Sequence, residues 1–354
     1  MTGGPDEPTK ARVRSRAPRP TMHDVATAAG VSVGAVSYAL NGRPGVSETT
    51  RARVLAIAAE LGWAANQAAR SLRGGGTNTV GLVIARPAET LGVETYYMQL
   101  IAGLEETLAA NDFDLLLRVV ADVDAEARIY RGWGASERVD GIIVVDPRTE
   151  DPRLEVVVET GLRAVVLGDA PDRPEVSSVV VDHGGATADA VRYLQAIGHR
   201  RITRVAGPEH LRHVSARDRA FEDTAHELGV ESSIIRTDFT AESGASATRR
   251  ILARADRPTA VIYDNDVMAA AALPVAAEFS LAVPHDLSIL SWEDSMLCQL
   301  ATPPITAIRR DVRAFGALVA EALLDQIRTG RPVRLDAARP ELLPRASTAP
   351  RTLP

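Results

Sequence analysis

Residues 21–42 read Thr-Met-His-Asp-Val-Ala-Thr-Ala-Ala-Gly-Val-Ser-Val-Gly-Ala-Val-Ser-Tyr-Ala-Leu-Asn-Gly, and this stretch decides the architecture. It predicts two short helices, over 22–29 and 32–40, that meet at Gly30. Thr21 is placed to cap the first helix, with Asp24 near its positive end. Ala26 is small where the helices must cross closely, and Gly30 supplies the positive φ that a tight turn needs. Val25, Ala29, Val31, Val36 and Leu40 provide the apolar contacts, and Ser32 caps the second helix. This is a helix-turn-helix, and its second helix is shaped to enter a DNA major groove.

Working outward, Ser47 caps a third helix in which Val54, Ile57, Ala58 and Leu61 form the apolar stripe and Gly62 the stop. Trp63 is expected to pack on this three-helix unit. A short helix-like stretch over 66–73 leads into Gly74-Gly75-Gly76. No Gly-Lys-Ser/Thr follows those glycines, so they read as a joint and not as a phosphate loop. On the other side, residues 1–20 carry Pro5, Pro8, Pro18 and Pro20 with scattered charge and almost no apolar content, the composition of a disordered basic arm.

The chain has 354 residues, 45% hydrophobic, which leaves room for two or three domains with sizeable cores. Its overall charge of −6 misleads until it is divided. Residues 1–76 hold ten Lys/Arg against five Asp/Glu, and the remainder holds thirty against forty-one. The basic end is therefore the nucleic-acid end, and the acidic remainder keeps itself off DNA. Cys298 is the single cysteine, which excludes an internal disulfide and fits a cytoplasmic setting. Arg12, Arg14, Arg16 and Arg19 are followed by no apolar run of signal-peptide type, and no run is long enough to span a membrane.

From residue 80 onward, short β-branched runs alternate with amphipathic helices. Strands are predicted at 80–85, 115–120, 141–145, 164–167, 178–181, 202–206, 260–263, 287–291 and 305–309. Apolar strands separated by helices predict an α/β protein with doubly wound parallel sheets. About ten strands suit two such sheets better than one. No Gly-x-Gly-x-x-Gly follows a strand, so a dinucleotide site has no support. Ligands in this kind of fold sit beyond the carboxyl ends of the strands, which for two domains means the cleft between them.

The segment from Thr21 through Asn41-Gly42, Val46-Ser47, Thr50-Arg51, Gly62-Trp63, Asn66 and Ala69-Arg70-Ser71-Leu72, continuing into Thr77-Asn78-Thr79-Val80-Gly81-Leu82, closely resembles the lactose-repressor (LacI/GalR) family of bacterial transcription regulators. The resemblance implies an all-α helix-turn-helix domain (21–65), a hinge helix and linker (66–78), and a periplasmic-binding-protein-like core (79–350) of two doubly wound parallel-sheet subdomains. The first subdomain is expected at about 79–175 and 308–335, the second at about 176–305 and 336–350. By resemblance, Thr21, Met22, Ser32, Val33, Gly34, Ser37, Tyr38, Asn41, Ser47, Asn66, Ala69 and Leu72 face DNA. Val33, Gly34 and Tyr38 stand at the base-reading positions, and Leu72 at the residue that wedges into the minor groove. The family usually carries arginine where Tyr38 stands, and proline where Ala65 stands.

In the core the same resemblance points to Tyr96, Tyr97, Asp169, Arg217, Phe239, Asn265 and Glu293 as effector contacts. Arginine, amide and carboxylate offer convergent donors and acceptors, and aromatic faces hold a ring. Arg217 is preferred over Arg219. Asp266, at the start of a helix, reads as readily as a cap as it does as a ligand contact. Glu293 replaces the more usual Asp and reaches one methylene further.

Three classes compete. A ligand-responsive regulator, expected to be a repressor, accounts for the whole chain from residue 21. A solute-binding protein accounts for the core alone, and an enzyme finds neither metal spacing among the histidines nor a nucleophile elbow at Ser246. The expectation is a homodimeric, cytoplasmic regulator that binds double-stranded operator DNA and needs no metal or cofactor. Its effector is expected to be a carbohydrate, with a nucleoside or other metabolite as the alternative.

Overall fold

The computed structural model describes residues 20–40, 42–63, 76–86, 95–170 and 173–351. The chain forms two compact units, Met1–Gly75 and Gly76–Pro354. In the first unit, helices α1 (Met22–Ala29), α2 (Val33–Leu40) and α3 (Glu48–Glu60) pack around Val25, Ala26, Ala29, Val36, Ala39, Val54 and Ala58. Thr21 and Asp24 form a reciprocal capping box, with the Thr21 N–H donating to Asp24 Oδ2 at 2.7 Å. Gly30 ends α1 in the left-handed region at φ 62°, where a side chain would strain the corner. Ser32 caps α2 by accepting from the Ala35 N–H, and Ser47 caps α3 by accepting from Thr50. Trp63 packs on this cluster as expected. The expected arm and most of the hinge, with Asn41, Asn66, Ala69 and Leu72, lie outside the described residues.

The second unit contains two six-stranded sheets. The first has the order β11-β5-β4-β3-β1-β2, with β1 (Thr79–Ala85), β2 (Asp114–Val120), β3 (Gly141–Val144), β4 (Arg163–Leu167), β5 (Ser177–Val180) and β11 (Arg334–Asp336), all parallel. In β1, Val80, Leu82 and Ile84 face helices α4 (Thr95–Ala109) and α12 (Val312–Thr329), while Val83 joins Tyr130 and Trp133 on the other side. Both faces are covered, which is why the strand reads as an unbroken apolar run. Helices α5 (Val123–Ser136) and α6 (Pro152–Thr160) provide that second cover.

The second sheet has the order β12-β10-β9-β8-β6-β7, built from β6 (Arg201–Ala206), β7 (Glu231–Arg236), β8 (Ala260–Tyr263), β9 (Ser288–Ser291), β10 (Thr306–Arg309) and β12 (Glu341–Leu343). Only the β10–β12 pair is antiparallel among the described strands. Helices α7 (His183–Ala196), α8 (Arg212–Glu227), α9 (Ala241–Leu252), α10 (Asp266–Glu278) and α11 (Met296–Leu300) surround it.

The chain passes between the sheets three times, after β5, after β10 and between β11 and β12. The first subdomain therefore runs past the expected limit at 175, because β5 pairs with β4 and β11. Likewise β10 belongs wholly to the second sheet, although the first subdomain was expected to resume at 308. No helix among the described residues is long and apolar enough to cross a membrane.

Candidate DNA-reading face and ligand cleft

In the helical unit, α2 contains no Lys, Arg, His, Asp or Glu. Its outward residues are Ser32, Val33, Gly34 and Tyr38, with Ser37 half-buried beside them. Tyr38 is 45% exposed, and its ring lies beside Gly45. A Cβ added at Gly34 would meet only the Ser32 hydroxyl, at 3.8 Å, so this part of the helix is open. Thr21 and Ser47 are exposed helix caps, whereas Met22 is half-buried against the core of the unit. A helix with these residues offers a groove one tyrosine hydroxyl, serine hydroxyls and the Val33 methyls, which leaves direct base readout sparse.

In the core, a cavity of about 70 Å³, partly open to solvent, lies beyond the carboxyl ends of both sheets. Six residues expected at the site line it together: Tyr96, Tyr97, Arg217, Phe239, Asn265 and Glu293. Asp169 does not. It is half-exposed and pairs with Arg334 of β11, because the chain turns away from the cavity after Gly168. Tyr96 and Tyr97 fall in the first turn of α4 and not ahead of it.

The Arg217 guanidinium is buried, donates to the Asp264 carbonyl at 3.2 Å, and faces His183 Nδ1 at 3.3–3.4 Å. Burial lowers its pKa to about 10, although Asp264 acts in the opposite direction. Asp264 also receives two hydrogen bonds from Arg204, at 2.7 and 2.8 Å, and one from the Gly207 N–H at 3.0 Å. Burial works to raise the Asp264 carboxyl, but Arg204 and Arg217 outweigh it and keep it ionised. Arg219, the alternative, is exposed.

Asn265 has a different local task from the one expected. Its Oδ1 caps α10 by accepting from the Met268 N–H, and its Nδ2 donates to the Phe239 carbonyl, both at 2.9 Å. It thereby ties down Phe239, which sits at φ 71° with its ring over Gly207, where a Cβ would collide with it. Asp266 is thus not the cap, and its Oδ2 is buried without a partner among the described residues.

Glu293 faces Arg310 at 3.7 Å, and burial raises its pKa to about 7 despite that neighbour. Arg310 in turn lies over the Tyr96 ring, 4.6 Å from its centroid. Beside Tyr96, the Tyr97 hydroxyl donates to Asp146 at 2.6 Å, and Arg86 donates to the same carboxylate at 2.7 and 3.1 Å. Burial favours a neutral Asp146, but Arg86, His213 and Tyr97 hold it well below the usual carboxylate range. His183 and His213 are kept neutral by burial and then by Arg217, with His213 lowered to about 3.

Arg86, Asp146, His183, His213 and Arg310 escaped the sequence reading. Four of the five follow a strand directly or within a few residues: β1, β3, β5 and β10. The strand-end rule, applied to every strand, would have marked those four, whereas His213 lies in the first turn of α8.

A three-helix unit with an exposed second helix, joined in one chain to a two-sheet core with a polar and aromatic cleft, defines a DNA-binding regulator with a ligand-sensing domain. The bacterial regulatory proteins of the lacI family match residues 21–66, and the periplasmic binding protein-like domain matches residues 191–348. The HTH-type transcriptional regulator CelR of Thermobifida fusca is 33% identical over 90% of this chain and 95% of its own length. A solved structure of a transcriptional regulator CelR–cellobiose complex is 31% identical, covers 93% of this chain and all of the other, and superposes with a TM-score of 0.71. The lac repressor dimer bound to operator and the anti-inducer ONPF is 25% identical, over 94% of this chain and all of its own, with a TM-score of 0.82. The chain belongs to the LacI family of bacterial transcriptional regulators.

Proposed function

We propose that this regulator is a homodimeric, cytoplasmic repressor whose operator affinity is set by a carbohydrate in the core cleft. The observation that carries the reading is the single cavity lined by Arg217 and Glu293 together with Tyr96, Tyr97 and Phe239. Guanidinium and carboxyl groups suit hydroxyls, and the rings suit the apolar face of a pyranose. The CelR–cellobiose complex supports a sugar of this class. Val33, Gly34 and Tyr38 face base edges, while Thr21, Ser32, Ser37, Ser47 and Asn41 meet phosphates. Paired stretches over 66–78 insert Leu72 at the centre of a pseudo-palindrome, where a flexible pyrimidine–purine step lowers the cost of bending. The effector acts by preferring one arrangement of the dimer, so its differential affinity fixes the change in DNA binding.

The test is calorimetry of the full chain against cellobiose and a panel of neutral disaccharides, followed by gel shifts on operator selected from random DNA. Binding of a sugar that changes the gel-shift midpoint supports the reading. No heat with any sugar, or heat without a change in operator affinity, overturns it.

A further inference from the structure

The crossings between the two sheets lie at the edge formed by β11 and β5 in one and β12 and β10 in the other. A second set of contacts joins the subdomains away from that edge, at the loops after β3 and β6. The Arg212 N–H donates to the Pro147 carbonyl at 2.9 Å, and the Thr149 N–H donates to the His210 carbonyl at 3.0 Å. Arg148 and Leu211 form an antiparallel bridge between the same loops. The Arg212 side chain closes the arrangement, with Nε donating to the Arg148 carbonyl at 2.7 Å and Nη2 to the Thr149 carbonyl at 3.2 Å.

The loop that Arg212 grips is held on its other side by a buried cation. Arg153 donates to the Val145 and Asp146 carbonyls, each at 2.9 Å, and its charge is matched by Glu126 and Asp151. Asp146 itself has φ 49° and presents its carboxylate to Arg86 and Tyr97 at the cavity wall. Arg86 then reaches across to lie over the Phe239 ring, 5.3 Å from its centroid.

We propose that Arg212 is a positioning residue. It clasps residues 147–149, holds the two subdomains closed around the cavity, and so fixes Asp146 and Arg86 where a ligand meets them. Three chain crossings act as the hinge, and the paired loops act as the latch. A latch that favours the closed form raises the fraction of molecules competent to hold ligand. A guanidinium spanning two carbonyls suits this task, since a lysine ammonium on a flexible stem replaces only part of it.

The experiment compares the full-length parent with Arg212→Ala and Arg212→Lys. Hydrogen exchange is followed at 146–149 and 208–212, and cellobiose affinity is measured by calorimetry. Arg212→Ala is expected to speed exchange at both loops while β3 and β6 stay protected. It is also expected to weaken cellobiose binding by roughly threefold to tenfold, with Arg212→Lys intermediate in both readouts. Unchanged exchange at the loops overturns the latch. Faster exchange throughout the second subdomain also overturns it, because Arg212 would then be holding the fold. Loosened loops with unaltered affinity overturn the positioning role. The affinity measurement rests on the carbohydrate reading, whereas the exchange measurement does not, so a parent that ignores cellobiose defeats that reading and leaves the latch to be judged by exchange.

Discussion

The Arg217 guanidinium lies against the Trp292 ring, 3.6 Å from its centroid, with Asp264 Oδ1 at 3.7 Å. The Trp292 indole N–H is itself fixed, donating to the Thr187 hydroxyl at 3.0 Å. The cation is thus oriented by the protein alone, and no ligand has to order it.

Because that orientation depends on a flat group, Arg217→Lys should fail where charge alone would suffice. Loss of the stacked, desolvated contact costs about 2 kcal/mol or less, with the donor geometry lost in addition. Titration calorimetry with cellobiose should show at least a tenfold weaker complex. Affinity equal to the parent would exclude Arg217 from the binding set.

Glu293 gives the core a distinct pH response. Burial lifts its folded pKa to about 7 from 4.5, so its contribution to stability is fully present below pH 4.5 and is lost as pH rises through about 7. His213, depressed to about 3 from 6.5, has the opposite sign: its contribution is present above pH 6.5 and lost as pH falls toward 3. The difference between the parent and Glu293→Gln isolates the first effect. Thermal unfolding from pH 4.5 to 8 should show the variant gaining on the parent as pH rises, and parallel curves would refute this assignment.

The network beneath the latch should be costly to break on one side. Glu126 is wholly buried, pairs with Arg153 at 3.0 Å, and accepts a hydrogen bond from Tyr130. Arg153→Met leaves Glu126 and Asp151 without their cation, at about 3–5 kcal/mol for a broken buried pair. Adding Glu126→Gln should recover part of that loss in denaturant unfolding. If the double variant were no more stable than Arg153→Met, coupling between the two would be disproved.

On the DNA-reading helix, Gly34→Ala should stabilise the helical unit by about 0.5–1 kcal/mol, since the site is open and no left-handed φ is required. Tyr38→Ala should relax base preference at one symmetric pair of operator positions, measured by selection from random DNA. Equal weakening on selected and random DNA would make Tyr38 a packing residue only.

The helix-turn-helix was legible because its signals are local: a cap, a corner glycine and small crossing residues all fall within Thr21–Ser37. The nine expected strands are present, with no end shifted by more than one residue, because buried parallel strands are continuous apolar runs. Strand β7, Glu-Ser-Ser-Ile-Ile-Arg, was missed because it is an edge strand with half-polar content. β11 and β12 have three residues each and take their identity from partners far away in sequence. The same limit explains the site. Asn265 was recognisable as a cleft residue, yet its bond to the Phe239 carbonyl exists only once two strand ends are brought together. Asp169 looked equivalent to it, but the neighbouring Arg334 arrives from 165 residues later.

The three crossings bear on the order in which the protein can be made. Leu100 and Leu104 of α4 find their partners Val319 and Leu323 only when α12 has been synthesised, after β6 to β10 of the second sheet but before its β12. The helical unit can therefore condense first, while the first sheet waits for α12 and β11 and the second waits for β12. A premature stop near residue 300 would remove α12 and β11 from the first subdomain and β10 and β12 from the second, so both would be left incomplete. For the same reason, a ligand domain of this kind can be transplanted between regulators only as the entire stretch from β1 to β12.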